Sequence, residues 1–495
     1  MAQASFISCI IILVLIGILH RVLNITRRVS RLPPIARFPD HSSEKPWIVY
    51  ASVAKAIGSI FRAPTLGRTV IIIDSAEIAD VLLGMRRNFS CRPVWPMAEL
   101  LGKTRNVVFQ RYGDRLKKLR KVLQASLGPT SINGMWNESL DKQTRSLCKS
   151  FLDSPERFYD AVGENMIRHT MANVYGQKLS PELLRDIQGI MHDTSIALQP
   201  GRWMVNSFPF LKRVPTWFPG AGFHRWARGA SELYRSFTLE QFNAVKTDMR
   251  AGIANLSFVK ASLENLTTPY DPKEETLVMD AAESSFFAGI DSTVATILTF
   301  IALVACHEHV QARAYSEICS VIGTDRLPDI KDRPLLPFVD CIIQEVYRFS
   351  PVVPLITHSN IEEDEFGGFR IPKRSWVLVN VWSIMHDDLT YPNSGEFLPE
   401  RFMIMNGDQP GARDPRLVIF GYGRRRCPGI HFAETLVYLI VSRTLALFHI
   451  CPDSSDGEPV APMLNPMARL VAAPERFSCR IVPRAHAQDL LSFQE

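Results

Sequence analysis

The sequence predicts a mainly α-helical protein with small β-sheets, arranged as a single large domain after an N-terminal transmembrane helix. Three features predict it. Residues 110–350 alternate apolar helical patterns with short breakers, residues 70–74 and 370–381 are β-rich runs, and residues 6–19 are almost wholly apolar. No repeat, long linker or low-complexity run divides the rest. Three segments are therefore expected: a transmembrane anchor over 1–24, a basic, proline-containing hinge over 25–40, and one domain over 41–495.

The anchor is interrupted only by Ser8, Cys9 and Gly17. With Val22 and Leu23 it reaches about 18 residues, enough for a bilayer. No charge precedes it, whereas Arg21, Arg27, Arg28 and Arg31 follow. Positive flanks stay cytoplasmic, so the body is expected to face the cytosol. A cleaved signal peptide would carry charge before the run and a small-residue site after it, and neither is present. Arg31-Leu32-Pro33-Pro34 reads as a stiff hinge, because proline ends helices. Residues 70–74 read as a buried strand, with Ser75 capping the next helix. Residues 277–305 read as a long apolar helix and 370–381 as a strand. Residues 385–419 are irregular, and 430–450 read as a helix with Pro428 at its first position.

Composition narrows the function. A hydrophobic content of 46% over 495 residues supports a large core. The net charge of +6 comes without a Lys/Arg-rich block, so a nucleic-acid partner is not expected. The nine cysteines are odd in number, scattered and free of CxxC spacing, which argues for a reducing compartment. Sequons beginning at Asn24, Asn88, Asn137, Asn255 and Asn265 go unused in a cytosol-facing domain.

The most informative residues are Phe420-Gly421-Tyr422-Gly423-Arg424-Arg425-Arg426-Cys427-Pro428-Gly429. A lone cysteine is ordinarily a buried, inert side chain. Here it stands at a helix mouth among arginines, where a thiolate is stabilised. A random chain of this length matches Phe-x-x-Gly-x-Arg-x-Cys-x-Gly with a chance on the order of 10⁻⁴. Gly423 permits a tight turn that aims backbone N–H groups at the sulfur. Arg425 is placed to meet a carboxylate of a bound group, Gly429 to let a flat cofactor approach, and Phe420 to cover the sulfur.

Through these residues the chain resembles the cytochrome P450 family, in which a Cys thiolate holds haem iron. The resemblance covers roughly residues 40–480 and implies haem b with Cys427 as its axial ligand. Ala288-Gly289-Ile290-Asp291-Ser292-Thr293 is similar to the family's oxygen-activation segment. That likeness gives Asp291 a proton-relay role and makes Ser292 and Thr293 the hydroxyls beside it. Ser292 stands where the family usually has threonine, so the hydroxyl is kept and the rotamer-stiffening branch is lost. Glu345 and Arg348 share a helix face, an ordinary surface pair when taken alone. Followed by Arg401, they match the family's structural Glu-Arg-Arg lock. Arg120 matches a haem-propionate arginine, while Leu116 replaces the tryptophan expected four residues before it. His358 resembles a second propionate partner, although a lone loop histidine is more often solvated. Lys117, Lys118 and Lys121 form a basic face suited to an acidic reductase.

The resemblance implies a haem-thiolate monooxygenase that hydroxylates or epoxidises a small lipophilic metabolite with O2 and NADPH electrons. It is similar to microsomal fungal members that modify terpenoids and polyketides in secondary-metabolite biosynthesis. The implied partners are NADPH-cytochrome reductase, with a cytochrome b-type protein as a second donor, and the endoplasmic reticulum membrane, crossed once. No flavin or dinucleotide fingerprint occurs in the chain, since Gly421-Tyr422-Gly423 lacks the third glycine. The apolar stretches 93–97, 107–109, 203–218 and 352–355 are candidates for the substrate pocket or the membrane face. Two other readings are an isomerase or dehydratase working without O2 or reductase, and a non-catalytic haem or lipid carrier. The acid–hydroxyl pair Asp291 and Ser292 argues against both.

Overall fold

The computed structural model describes residues 32–36, 45–65, 67–199, 201–266, 271–403, 412–453 and 471–492. The expected anchor over 1–24 and most of the hinge over 25–40 lie outside the described residues.

Helices dominate: α1 (Pro46–Ile57), α2 (Asp114–Leu127), α3 (Asn137–Asp153), α4 (Phe158–Tyr175), α5 (Pro181–Leu198), α6 (Gly222–Ala251), α7 (Pro272–Ala305), α8 (Glu308–Ile322), α9 (Pro337–Phe349) and α10 (Ile430–Leu447). The axis of the core is α7. Asp271 caps it by accepting the Lys273 N–H at 2.9 Å, and Pro272 occupies its first turn. It packs on α2, α4, α9 and α10. Because neighbours surround it, it is apolar on nearly all sides from Thr293 to Ala305. Phe286 and Phe300 on this helix are fully buried, each contributing about 1.5–3 kcal/mol of transfer free energy. Both α7 and α10 are long and apolar enough to cross a membrane, but 67% of each apolar window is buried inside the protein. Here they are core helices.

The main sheet runs β1 (Ile60–Ala63), β2 (Val70–Ile73), β6 (Trp376–Asn380), β3 (Leu355–Ser359). Strand β2 is buried along its whole length, as its unbroken Val-Ile-Ile-Ile run requires. It pairs in parallel with β6, Val70 opposite Trp376. Ser75 caps the next turn as expected, accepting the Ile78 N–H at 3.2 Å. A hairpin, β4 (Asp364–Phe366) and β5 (Phe369–Ile371), precedes β6, and β7 (Phe448–Pro452) pairs with β8 (Cys479–Pro483).

The structure divides two expected elements. Residues 370–381 are not one strand: Pro372 and a left-handed Arg374 (φ 61°) break them into β5 and β6. The helix expected over 430–450 ends at Leu447, because Phe448 leaves it to pair with Pro483. Pro428 is not its first residue. Gly429 is the N-cap, its carbonyl accepting the Ala433 N–H at 2.9 Å, and Pro428 is the residue before the cap.

Candidate active site

Backbone conformation sets the Cys427 loop. Gly421 (φ 79°) and Gly423 (φ 48°) are left-handed, so a side chain at either is strained. A Cβ on Gly423 would also lie 2.7 Å from the Leu83 carbonyl oxygen and closer still to that of Gly84. The turn folds back so that the Cys427 N–H donates to the Phe420 carbonyl at 2.7 Å. The Phe420 ring packs edge-on against Tyr347 at 5.7 Å.

Cys427 is half-buried. Burial pushes its thiol pKa up, while a hydrogen bond from the Gly429 backbone and the charges of Arg120 and Arg426 pull it down. Burial is the largest of these effects, while the helix mouth and the arginines act in the direction that the sequence suggests. A bound cation would supply the missing stabilisation. Among the described residues no cluster of three His, Cys, Asp or Glu could hold a bare ion. A single thiolate ligand suits an iron that brings its own equatorial nitrogens, as haem does.

Beside the loop lies a nest of positive charge. Arg425 is buried, its Nε donating to the Ser90 carbonyl at 2.6 Å, Nη1 to Val107 at 3.2 Å and Nη2 to Gln110 at 2.5 Å. Arg92 donates to the carbonyls of Val108, at 3.1 Å, and Thr357. Arg120 on α2 donates to the Arg426 carbonyl at 2.7 Å. Burial, then mutual repulsion, lowers the guanidinium pKa values, to about 10 for Arg92 and about 9 for Arg425; both stay protonated at neutral pH. None of the three forms an ion pair among the described residues. His358 on β3 is 1% exposed, with Nδ1 on the Phe89 carbonyl at 2.8 Å and Nε2 unpartnered. Arginines without acids and one bare imidazole nitrogen fit a ligand with two carboxylates, such as haem b. Because a carbonyl only accepts, Nδ1 carries the proton in neutral His358, and Nε2 can donate to a carboxylate only as imidazolium. Burial, with Arg92 next, keeps the unliganded ring neutral.

Sequence reasoning missed Arg92. Its signal, an arginine between Cys91 and Pro93 ahead of an apolar run, is short, and its partner Thr357 lies 265 residues away. Leu116 is fully buried and brings no donor toward the nest.

On α7 the expected segment interrupts a buried helix. Ala288 and Gly289 are exposed in mid-helix, between buried Phe286 and Ile290. A Cβ on Gly289 would meet nothing within 4 Å. Asp291 and Ser292 are half-buried on the same stretch. The Ser292 hydroxyl donates to the Ala288 carbonyl at 2.9 Å and the Thr293 hydroxyl to Gly289 at 2.8 Å, leaving oxygen lone pairs as acceptors.

The structure brings Glu345, Arg348 and Arg401 together. Arg348 Nε and Nη2 reach the Glu345 carboxylate at 2.7 and 2.8 Å, and Arg401 Nε reaches it at 3.2 Å. Arg348 also donates to the carbonyls of Met385, Ser394 and Glu396. The irregular segment after α9 is thereby pinned to the helix.

A cytochrome P450 sequence profile matches residues 31–479. The chain belongs to the cytochrome P450 family. Cytochrome P450 monooxygenase 208 of Postia placenta is 32% identical over 465 residues, 93% of this chain and 90% of that one. Cytochrome P450 monooxygenase claR of Ampulloclitocybe clavipes is 32% identical over 469 residues, covering 93% and 87%. A zebrafish cytochrome P450 structure with abiraterone shares the fold at TM-score 0.73 and 21% identity, covering 90% of this chain and all of that one. This P450 is a monooxygenase, and the family implies haem on a thiolate cysteine.

Proposed function

We propose that this P450 hydroxylates or epoxidises a small lipophilic metabolite, a terpenoid or polyketide, in secondary-metabolite biosynthesis. The observation that carries this is the opening in α7: exposed Ala288 and Gly289 next to Asp291 and Ser292, in a helix whose only other exposed residues, Pro272 and Lys273, lie in its first turn. When bound, haem supplies activation of O2 and transfer of one oxygen atom. Cys427 holds the iron, with the Gly429 N–H sharing the sulfur's charge. Arg92, Arg120, Arg425 and His358 hold the carboxylates. Gly289 leaves room for substrate or water above the site, while Asp291 and Ser292 hold and pass protons there. Thr293 acts as a second hydroxyl.

Electrons come from NADPH through a separate reductase, received at the exposed Lys117, Lys118 and Lys121. A cytochrome b-type donor is a second source. The protein is tethered to the endoplasmic reticulum by one N-terminal span and faces the cytosol. Supporting this, Met204, Phe210, Trp217 and Phe218 form an apolar exposed stretch, with Trp217 79% exposed. Trp203 instead tilts against Trp226 at 5.0 Å, inside a small core.

The test is co-expression with a reductase in a host fed terpenoid and polyketide candidates. NADPH consumption that depends on substrate, with a product heavier by one oxygen atom, supports the proposal. Product formation without NADPH, or isomeric products alone, defeats it.

A further inference from the structure

One buried charged side chain lies outside the groups assigned so far. Lys103 precedes α2 and is 3% exposed. Its ammonium lies 3.7 Å from the ring centre of Tyr234 and 5.0 Å from that of Phe287. It makes no hydrogen bond among the described residues. An ammonium has three N–H donors, and with none of them bonded among those residues they remain open to an acceptor.

The nearby acids do not meet that need. Glu283 on α7 accepts both bonds of the Asn106 amide, at 3.1 and 3.0 Å. Glu283 and Asp193 act on Lys103 through space, but neither forms an ion pair with it. Asp280 is taken by Arg105 and Arg115. Lys103 thus has charge compensation without contact.

Its loop docks on the helix that carries Asp291. Asn106 on Glu283 and the Val107 N–H on Ser284 Oγ at 3.0 Å dock this loop along α7. Phe287 lies four residues before Asp291 on the same helix face. The ammonium thus approaches a ring that lies about one helical turn before Asp291 on α7.

We propose that Lys103 donates a hydrogen bond to a neutral oxygen, a carbonyl or hydroxyl, on the lipophilic substrate. This rests on the function proposed above and names the substrate class. A carboxylate would add negative charge beside Glu283 and Asp193, and a plain hydrocarbon would leave the donors unmatched. The substrate therefore arrives already oxygenated. The reaction that supplies it either installs an oxygen on the hydrocarbon frame or leaves one there.

The test uses full-length holoenzyme and three flexible probes, decane, 2-decanone and decanoic acid, with dissociation constants from equilibrium dialysis. Lys103→Met should lower the preference for 2-decanone over decane by about tenfold relative to wild type. The double variant Lys103→Met/Glu283→Gln removes both charges and should show the same loss. The reduced, CO-bound spectrum confirms that each variant keeps its haem site. A measurement without variants is the infrared carbonyl stretch of isotope-labelled 2-decanone, which should move to lower frequency on binding wild type. An unchanged preference in a folded variant, an unshifted stretch, tightest binding of decanoic acid, or no binding of any probe overturns the proposal. If NADPH-dependent oxygenation fails while the ketone preference holds, the monooxygenase reading falls and the Lys103 assignment stands. The reverse result leaves the monooxygenase and removes Lys103.

Discussion

Replacing Glu345 with alanine removes the carboxylate that accepts from Arg348 at 2.7 and 2.8 Å, from Arg401 at 3.2 Å and from the Leu398 N–H at 2.9 Å. Arg348 is 0% exposed and would keep its charge with no counter-ion. Breaking a buried pair from one side costs about 3–5 kcal/mol. Unfolding entropy of about 2.1 cal/mol/K per residue gives about 1 kcal/mol/K over 495 residues, so the melting midpoint should fall by about 3–5 °C. Glu362→Ala is the control. Its pair with Lys373 is exposed, 48% at the lysine and 67% at the acid, and is worth about 0–1 kcal/mol. Scanning calorimetry of both holoenzymes reads the difference. If Glu345→Ala melts within about 1 °C of the control, the lock does not carry the weight assigned to it.

Gly423→Ala should abolish haem retention, because its Cβ meets two backbone carbonyls at a left-handed position; a normal haem content would contradict that. Gly289→Ala meets open space and should stabilise α7 by about 0.5–1 kcal/mol, while turnover falls as the room it fills is lost. Ser292→Thr should raise the product formed per NADPH consumed and Ser292→Ala should lower it, measured side by side with the reductase. Asp74 gives a pH dependence. Burial, opposed chiefly by the 3.0 Å hydrogen bond from Ser383, raises its pKa from 3.8 to about 6. The folded state then holds the proton more tightly, so this contribution to stability is complete below about pH 4 and lost as pH rises through 6. Asp74→Asn should therefore be more stable than wild type by about 1–3 kcal/mol above pH 6, with the gap closing toward pH 4 in denaturant titrations.

Local chemistry was legible in the sequence, and long-range placement was not. The Cys427 loop could be read because its glycines, arginines and cysteine act within ten residues. Ser75 and strand β2 followed from propensity and capping alone. Pairing decided the rest. Phe448 leaves its helix for a strand 35 residues further on, and Arg92 gains its role from Thr357, a partner that no local pattern points to. Around Cys427 the arginines are local and visible, whereas its burial is made by the whole fold. Lys103 was passed over because an isolated lysine in a loop reads as solvated, and only tertiary packing buries it.

The central claim is that Cys427 ligates haem iron as a thiolate. The most direct test is the reduced, CO-bound absorption spectrum of wild type and Cys427→Ala, with haem content measured in parallel. Wild type should show the red-shifted Soret band of thiolate ligation and Cys427→Ala should lack it. A variant that keeps this band at wild-type intensity would contradict the assignment.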